Sequence, residues 1–109
     1  MIPRCRNIKR RPTHPGEAIQ ELVLNDMNMT QLELAEKLTE LSNGKTKHST
    51  MTKKLNEIVK GRRSMTAEMA LLMGVATRIH PKIWLGLQTN LDLWLAQQSF
   101  SELPALSYA

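Results

Sequence analysis

Apolar residues recur at helical spacing from residue 15 to residue 98 and divide the chain into five segments. Within each segment they fall three or four positions apart, which places them along one face of an α-helix. The first two faces consist of Ala18, Ile19, Leu22 and Val23, then Leu34, Ala35, Leu38 and Leu41. The sequence contains no alternating polar and apolar stretch of useful length, so the pattern predicts an all-α protein with five helices.

Local signals place the boundaries of the first two helices. Pro15 suits the first turn of helix one, and Thr30 with Glu33 forms a capping box at the start of helix two. Asn43-Gly44 supplies a left-handed stop to helix two. Residues 45–50 are polar and lack periodicity, which predicts an exposed loop.

The third segment combines an apolar stripe with a polar face. Its stripe falls at i, i+4, i+7 and i+8 and consists of Met51, Leu55, Ile58 and Val59. The polar side chains that face away from the stripe are Thr52, Lys53, Asn56 and Glu57. This pattern favours a DNA-recognition helix, whose outward side chains meet base edges in a major groove. A solvated surface helix with a glycine C-cap is the alternative.

A basic turn follows the third helix, and its residues are suited to contact phosphates: Lys60, Gly61, Arg62 and Arg63. On the helix itself, Lys53 can donate to guanine, Asn56 can pair with adenine, and Glu57 can accept from cytosine N4. Thr52 can contact more than one base, through its methyl or its hydroxyl group. Alternatively, Glu57 pairs with Lys53 or Lys60 at helical spacing.

Two further helices complete the pattern. Thr66 caps the fourth, which buries Met69, Ala70, Leu72, Met73 and Ala76, and Pro81 opens the fifth. The apolar positions of helix five are Ile83, Trp84, Leu87, Leu91, Trp94 and Leu95. Their alternating spacing of three and four predicts a short heptad-like seam. We assign Trp84 and Leu87 to the core, and Leu91, Trp94 and Leu95 to a homodimer seam.

The size and charge of the chain limit the number of domains and the kinds of partner that we expect. A chain of 109 residues has room for one domain, and its net charge of +5 favours an anionic partner. The basic residues concentrate in the first eleven positions and between residues 45 and 63. We therefore predict a flexible basic arm over residues 1–13, a helix-turn-helix domain over 14–98 and a tail over 99–109.

The remaining composition argues against catalysis and secretion. Cys5 is the single cysteine, so an intrachain disulfide is excluded and a cytoplasmic protein is expected. No apolar run is long enough to cross a bilayer, so we expect no membrane partner. The three histidines have no metal-ligand spacing and no phosphate-binding glycine loop is present, so we predict neither an enzyme nor a metal or cofactor site.

Five segments in order resemble the HigA family of antitoxins: RPTHPGE at 11–17, TQLELAEKL at 30–38, NEIVKGRRSMT at 56–66, AEMAL at 67–71 and WLGLQTNLDLW at 84–94. The resemblance covers about residues 11–97. It implies a five-helix, lambda-repressor-like helix-turn-helix protein, usually dimeric. Such proteins bind a palindromic double-stranded DNA operator in their own promoter and neutralise a HigB toxin, a ribosome-dependent mRNA endonuclease.

The resemblance also implies roles for particular residues. The position of Gln31 at the start of helix two is one that commonly contacts phosphate. Thr52, Lys53 and Glu57 match positions that face bases, with Asn56 and Lys54 at their flanks, Asn56 toward the bases and Lys54 toward phosphate. The backbone-contacting turn after the helix matches Lys60, Gly61 and Arg62, and Arg63 extends it.

The chain departs from the family between helices two and three. The segment that leads from helix two to the recognition helix is roughly ten residues longer than a tight helix-turn-helix turn, and the extra residues are 39–49. Its basic residues could add phosphate contacts, or its length could hinder docking on DNA. Two alternatives to an antitoxin therefore stay open: a stand-alone helix-turn-helix regulator, and a protein-interaction module that has lost DNA binding.

Overall fold

The computed structural model describes residues 11–100, which form five helices in succession. The first begins as the α-helical turn α1, Pro15–Ala18, and continues as a π-helical segment, Ile19–Asn25. The others are α2 (Gln31–Leu41), α3 (His48–Val59), α4 (Ala67–Thr77) and α5 (Pro81–Ser99). No strand occurs within residues 11–100, and the predicted all-α class and helix order are confirmed. Cys5, the first ten residues of the predicted arm and residues 101–109 of the predicted tail lie outside the described residues.

The π-helical segment changes which residues of the first helix are buried. Ile19 and Val23 are fully buried and Leu24 packs against the core, whereas Leu22 is 41% exposed. A π-helix bonds residue i to i+5 and has a wider turn than an α-helix, so the residues that follow Ile19 on the inner face are Val23 and Leu24. The prediction that Leu22 is buried is therefore wrong.

Helix α2 begins where the sequence predicts. The Thr30 hydroxyl accepts from the amide of Glu33 at 3.1 Å, and the Glu33 carboxylate accepts from the amide of Thr30 at 3.0 Å. Leu34 and Leu38 are fully buried. Leu41, predicted to be buried, is 37% exposed because it lies in the last turn of the helix, beyond the core.

The connection between α2 and α3 is shorter than the sequence suggests. It spans residues 42–47 and turns through Asn43 and Gly44, whose φ angles of 54° and 86° are left-handed, as predicted. Helix α3 begins at His48, so the prediction of a loop through residue 50 is wrong. Residues 48–50 carry no apolar side chain that could reveal the helix. The connection therefore exceeds the usual three or four residues by only two or three.

The core lies where α2, α3, α4 and the first half of α5 meet the first helix. Its largest member is Trp84, which is fully buried, and the other fully buried side chains of high volume are Ile19, Leu34, Leu38, Met51, Leu55, Ile58 and Met73. Leu87 packs against this core, as predicted. Helix α3 packs against α2 and the first helix, and its opposite face remains available.

The prediction that Leu91 of α5 belongs to a dimer seam is wrong. Leu91 is only 3% exposed within the single chain, so its side chain packs inside its own subunit and has little surface to offer a partner. Trp94 is half-buried and Leu95 is 48% exposed. Leu93 is also exposed, but it lies on the opposite side of the helix from Leu95.

Candidate nucleic-acid interface

The structure orients α3 by burying one side of it completely. Met51, Leu55 and Ile58 are each at most 1% exposed, which fixes the rotation of the helix about its axis. On the opposite side, Lys53 is exposed, and Asn56 and Glu57 are half-buried. The structure thus brings these three predicted base-contacting residues together on one outward face.

Thr52 lies at the edge of this face. It is half-buried, and its hydroxyl donates to the carbonyl oxygen of His48 at 2.8 Å. Because the hydroxyl proton is used within the helix, Thr52 can present only its methyl group or an oxygen lone pair to a base.

The basic turn after α3 has a defined backbone geometry. Gly61 has a φ of 77°, its amide donates to the carbonyl of Ile58 at 2.9 Å, and the Arg62 amide donates to the carbonyl of Glu57 at 2.8 Å. This pair of bonds is the Schellman motif, in which a left-handed residue ends a helix and satisfies its last carbonyls. Lys60 and Arg62 are both exposed beside it. Their cations therefore lie at the C-terminus of α3, where the helix dipole favours positive charge.

Glu57 forms an ion pair with Arg63. Its Oε1 accepts from Arg63 Nε at 2.9 Å and lies 2.8 Å from Arg63 Nη2. The alternative to base contact in the sequence was pairing with Lys53 or Lys60, because those residues lie at helical spacing. The structure instead uses a residue six positions away, which the left-handed turn at Gly61 brings back toward the helix.

The remaining two predicted phosphate-contacting residues, Lys54 and Gln31, lie on different helices. Lys54 is half-buried and lines a shallow pocket of about 170 Å³ between α3 and the start of α4, together with Arg63 and Glu68. Gln31 is the first residue of α2 and is half-buried. Their contact with phosphate stays a prediction.

Gln88 positions the basic turn, and the sequence reasoning missed it. It is 6% exposed, its Oε1 accepts from the amide of Met65 at 2.8 Å, and its Nε2 donates to Asp92 Oδ1 at 2.9 Å. The end of the turn is thereby tied to α5. One signal was available, because Gln88 falls at i+4 from Trp84 and at i−3 from Leu91, on the buried side of the helix.

His14 caps the N-terminus of the first helix, a role that the sequence reasoning also missed. The Nδ1 atom of His14 accepts from the amide of Gly16 at 2.8 Å, and Glu17 Oε1 accepts from the amide of His14 at 3.3 Å. Burial lowers the pKa of His14, and the nearby positive charge of Arg11 lowers it further. The neutral imidazole is the form that caps the helix, since a protonated Nδ1 cannot accept.

No helix within residues 11–100 combines the length and the apolar character needed to cross a membrane. In the same part of the chain, no group of three or more His, Cys, Asp and Glu side chains is arranged to hold a metal ion.

No protein-family model matches the chain. The chain is similar in sequence to an uncharacterised HTH-type transcriptional regulator of Haemophilus influenzae. The two are 32% identical over 85 residues, which cover 78% of this chain and 70% of the relative.

Three solved structures resemble the fold over most of its length. The antitoxin GraA is 31% identical with a TM-score of 0.70, covering 85% of this chain and 89% of GraA. An addiction-module antidote protein of the HigA family from Coxiella burnetii is 29% identical, also at 0.70, covering 85% and 90%. The antitoxin HigA of Pseudomonas aeruginosa, solved with the higBA promoter, is 27% identical at 0.68, covering 84% and 89%.

Proposed function

Because the chain belongs to the HigA family of helix-turn-helix antitoxins, we propose that it binds the operator of its own promoter and neutralises a partner toxin. The observation that supports operator binding is the outward face of α3. That face is polar, it is fixed by the fully buried residues behind it, and it ends in an exposed basic turn. These are the features that a helix needs to enter a major groove.

The base contacts follow from the chemistry of this face. Lys53 donates to guanine O6 or N7, Asn56 pairs with adenine, and Glu57 accepts from cytosine N4. Thr52 contributes its methyl group, since its hydroxyl proton is already used. These contacts select the sequence.

The phosphate contacts surround the base-reading residues and position the helix in the groove. We assign them to Gln31, Lys54, Lys60, Gly61, Arg62 and Arg63. The short connection before α3 adds two exposed cations, Lys45 and Lys47. Because that connection is only slightly longer than usual and is basic, we infer that it adds contacts to the DNA backbone and does not block docking.

A homodimer supplies the second recognition helix that a palindromic operator needs. Two copies of α3 must lie about 34 Å apart to enter successive major grooves. The second half of α5 offers the surface for pairing, because Leu95 is exposed there and the neighbouring Trp94 is half-buried. Leu91 is not part of this surface.

The second partner is a HigB-like toxin with mRNA endonuclease activity. On this proposal the protein works in the cytoplasm, where it binds the toxin and the operator, and it is not an enzyme. Support for a toxin partner comes from two structural relatives, which are an antitoxin and an addiction-module antidote protein. A stand-alone regulator would bind the operator equally well, so a separate measurement of toxin neutralisation is required.

The DNA-binding proposal is tested with a duplex carrying the promoter of this gene. The Kd should rise steeply between 50 and 200 mM salt, by about a thousandfold if six or more phosphates are contacted. Lys53→Ala should weaken binding well beyond Lys82→Ala, which removes the same charge from an exposed position at the start of α5. Equal effects of the two substitutions would indicate only a general polycation attraction.

The toxin-binding proposal is tested by co-expression. The reading frame adjacent to this gene is induced alone and together with this protein while growth and mRNA integrity are followed. Growth arrest by the neighbour and its relief by this protein are expected. If the neighbour is harmless and promoter binding persists, the protein is a stand-alone regulator.

A further inference from the structure

We propose that Arg63 is a positioning residue for base specificity, which holds the Glu57 carboxylate in the orientation that selects cytosine. The inference rests on the proposed function, because it deepens the role of the same outward face of α3. It also revises the role given to Arg63, which the sequence assigned only to phosphate.

The geometry of the ion pair leaves Glu57 able to read a base. Two of the three guanidinium nitrogens face the same oxygen, since Nε donates to Oε1 and Nη2 lies 2.8 Å from it. Within residues 11–100, Oε2 accepts no hydrogen bond. A carboxylate has two oxygens with separate lone pairs, so Oε2 can accept from a cytosine amino group while Oε1 remains bound.

Glu57 is held at both its backbone and its side chain by consecutive residues. The amide of Arg62 donates to the Glu57 carbonyl, and the side chain of Arg63 binds the Glu57 carboxylate. The left-handed conformation of Gly61 makes both contacts possible, because it returns the chain over the end of the helix. The carboxylate is therefore oriented before any base arrives.

The ion pair also changes how Glu57 responds to DNA. A bare carboxylate entering the groove is repelled by the phosphate charges, and its rotatable bonds would have to be fixed on binding. Arg63 neutralises that charge and restricts those rotations. The pair is partly exposed, with side-chain exposures of 41% and 32%, so its removal should have little effect on folding.

The test is selection of binding sites from duplexes with a randomised central region, comparing wild type with Arg63→Ala, Arg63→Lys and Glu57→Ala. Wild type should enrich a motif with cytosine preferred at one position of each half-site. Arg63→Ala should reduce that preference at least about fivefold at that position, and Glu57→Ala should lose it at the same one. Arg63→Lys, which keeps the charge without the two-nitrogen fork, should fall between wild type and Arg63→Ala.

The matched control is Arg62→Ala, whose side chain forms no ion pair or hydrogen bond within the described residues. It should weaken all duplexes together and leave the motif intact. If Arg63→Ala also weakens all sequences uniformly, Arg63 contacts only phosphate and the inference is wrong. If wild type enriches no motif at all, the proposed DNA-binding function has failed instead. Thermal melting of each variant confirms that it remains folded.

Discussion

Gly16 lies directly against the carbonyl group of Ile58, so the first turn of the fold rests on the last turn of α3. A Cβ atom added to Gly16 would overlap the Ile58 carbonyl oxygen and lie 2.8 Å from its carbonyl carbon. Both partners at this contact are backbone, which cannot rotate away as a side chain can. The first helix and α3 can approach this closely only because residue 16 has no side chain.

Gly16→Ala should therefore destabilise the protein by about 2–3 kcal/mol, since the two helices must separate to admit one methyl group. Gly86→Ala is the matched control, because Gly86 lies inside α5 with no atom within 4 Å of an added Cβ. That change should be neutral or stabilising by up to about 1 kcal/mol through helix propensity. Urea unfolding followed by circular dichroism measures both, and an equal effect of the two would contradict the close approach.

Gln88→Met should cost about 1–3 kcal/mol, because it keeps the side-chain volume but leaves the buried amide of Met65 without its acceptor. Gln98→Met, on an exposed face of the same helix, should have almost no effect. Thermal unfolding of the two variants separates them. Hydrogen exchange provides a second measurement, since the Met65 amide should exchange faster in Gln88→Met alone.

Acidification should destabilise the protein through His14. The pKa of His14 is lowered from its usual value of 6.5 in the folded state, by burial first and by Arg11 second. Well above pH 6.5 neither state is protonated at this residue and its contribution is constant. Below pH 6.5 the unfolded chain binds a proton that the folded chain does not, so the free energy of unfolding falls as the pH falls toward the folded pKa.

His14→Asn isolates this effect, because asparagine can still cap the helix but does not titrate. The melting temperature of wild type should fall more between pH 7.5 and pH 5 than that of the variant. Parallel curves over that range would show that His14 does not control the acid response.

On the proposed pairing through α5, Leu95→Glu should shift the protein from dimer to monomer while leaving its fold intact, because residue 95 is 48% exposed and the charge would be buried only in a dimer. Leu71→Glu is the control on α4, at a leucine that is 60% exposed. Sedimentation velocity across a concentration series measures both. If Leu71→Glu dissociates the dimer and Leu95→Glu does not, the pairing surface lies on α4.

The sequence predicted those elements whose signals are local. Thr30 and Glu33 lie three residues apart and bond to each other, so the start of α2 could be placed from four residues. Asn43 and Gly44 likewise marked their turn. The start of α3 was missed because residues 48–50 face outward, and a pattern of buried positions cannot reveal a helical turn that buries nothing.

Contacts between distant segments were harder to predict. The spacing of Trp84, Leu87, Leu91 and Trp94 identified an apolar seam, but the neighbours of each residue depend on how α5 packs. Leu91 fits the seam pattern, but the packing of α5 buries it inside the subunit. Pairing of Glu57 with Arg63 requires the chain to reverse at Gly61. Helical spacing of three or four residues therefore identified only Lys53 and Lys60 as partners of Glu57. The π-helical segment gave no signal, because Ile19, Leu22 and Val23 fit an α-helical stripe equally well.

The bond from Gln88 to the Met65 amide affects the thermodynamics of recognition. The segment that carries Arg62 and Arg63 is fixed at one end by the cap of α3 and at the other by α5. A segment already ordered in the free protein loses little conformational entropy when it meets a phosphate backbone. Gln88→Met should therefore make the entropy of operator binding less favourable in calorimetry, although residue 88 itself lies outside the recognition face.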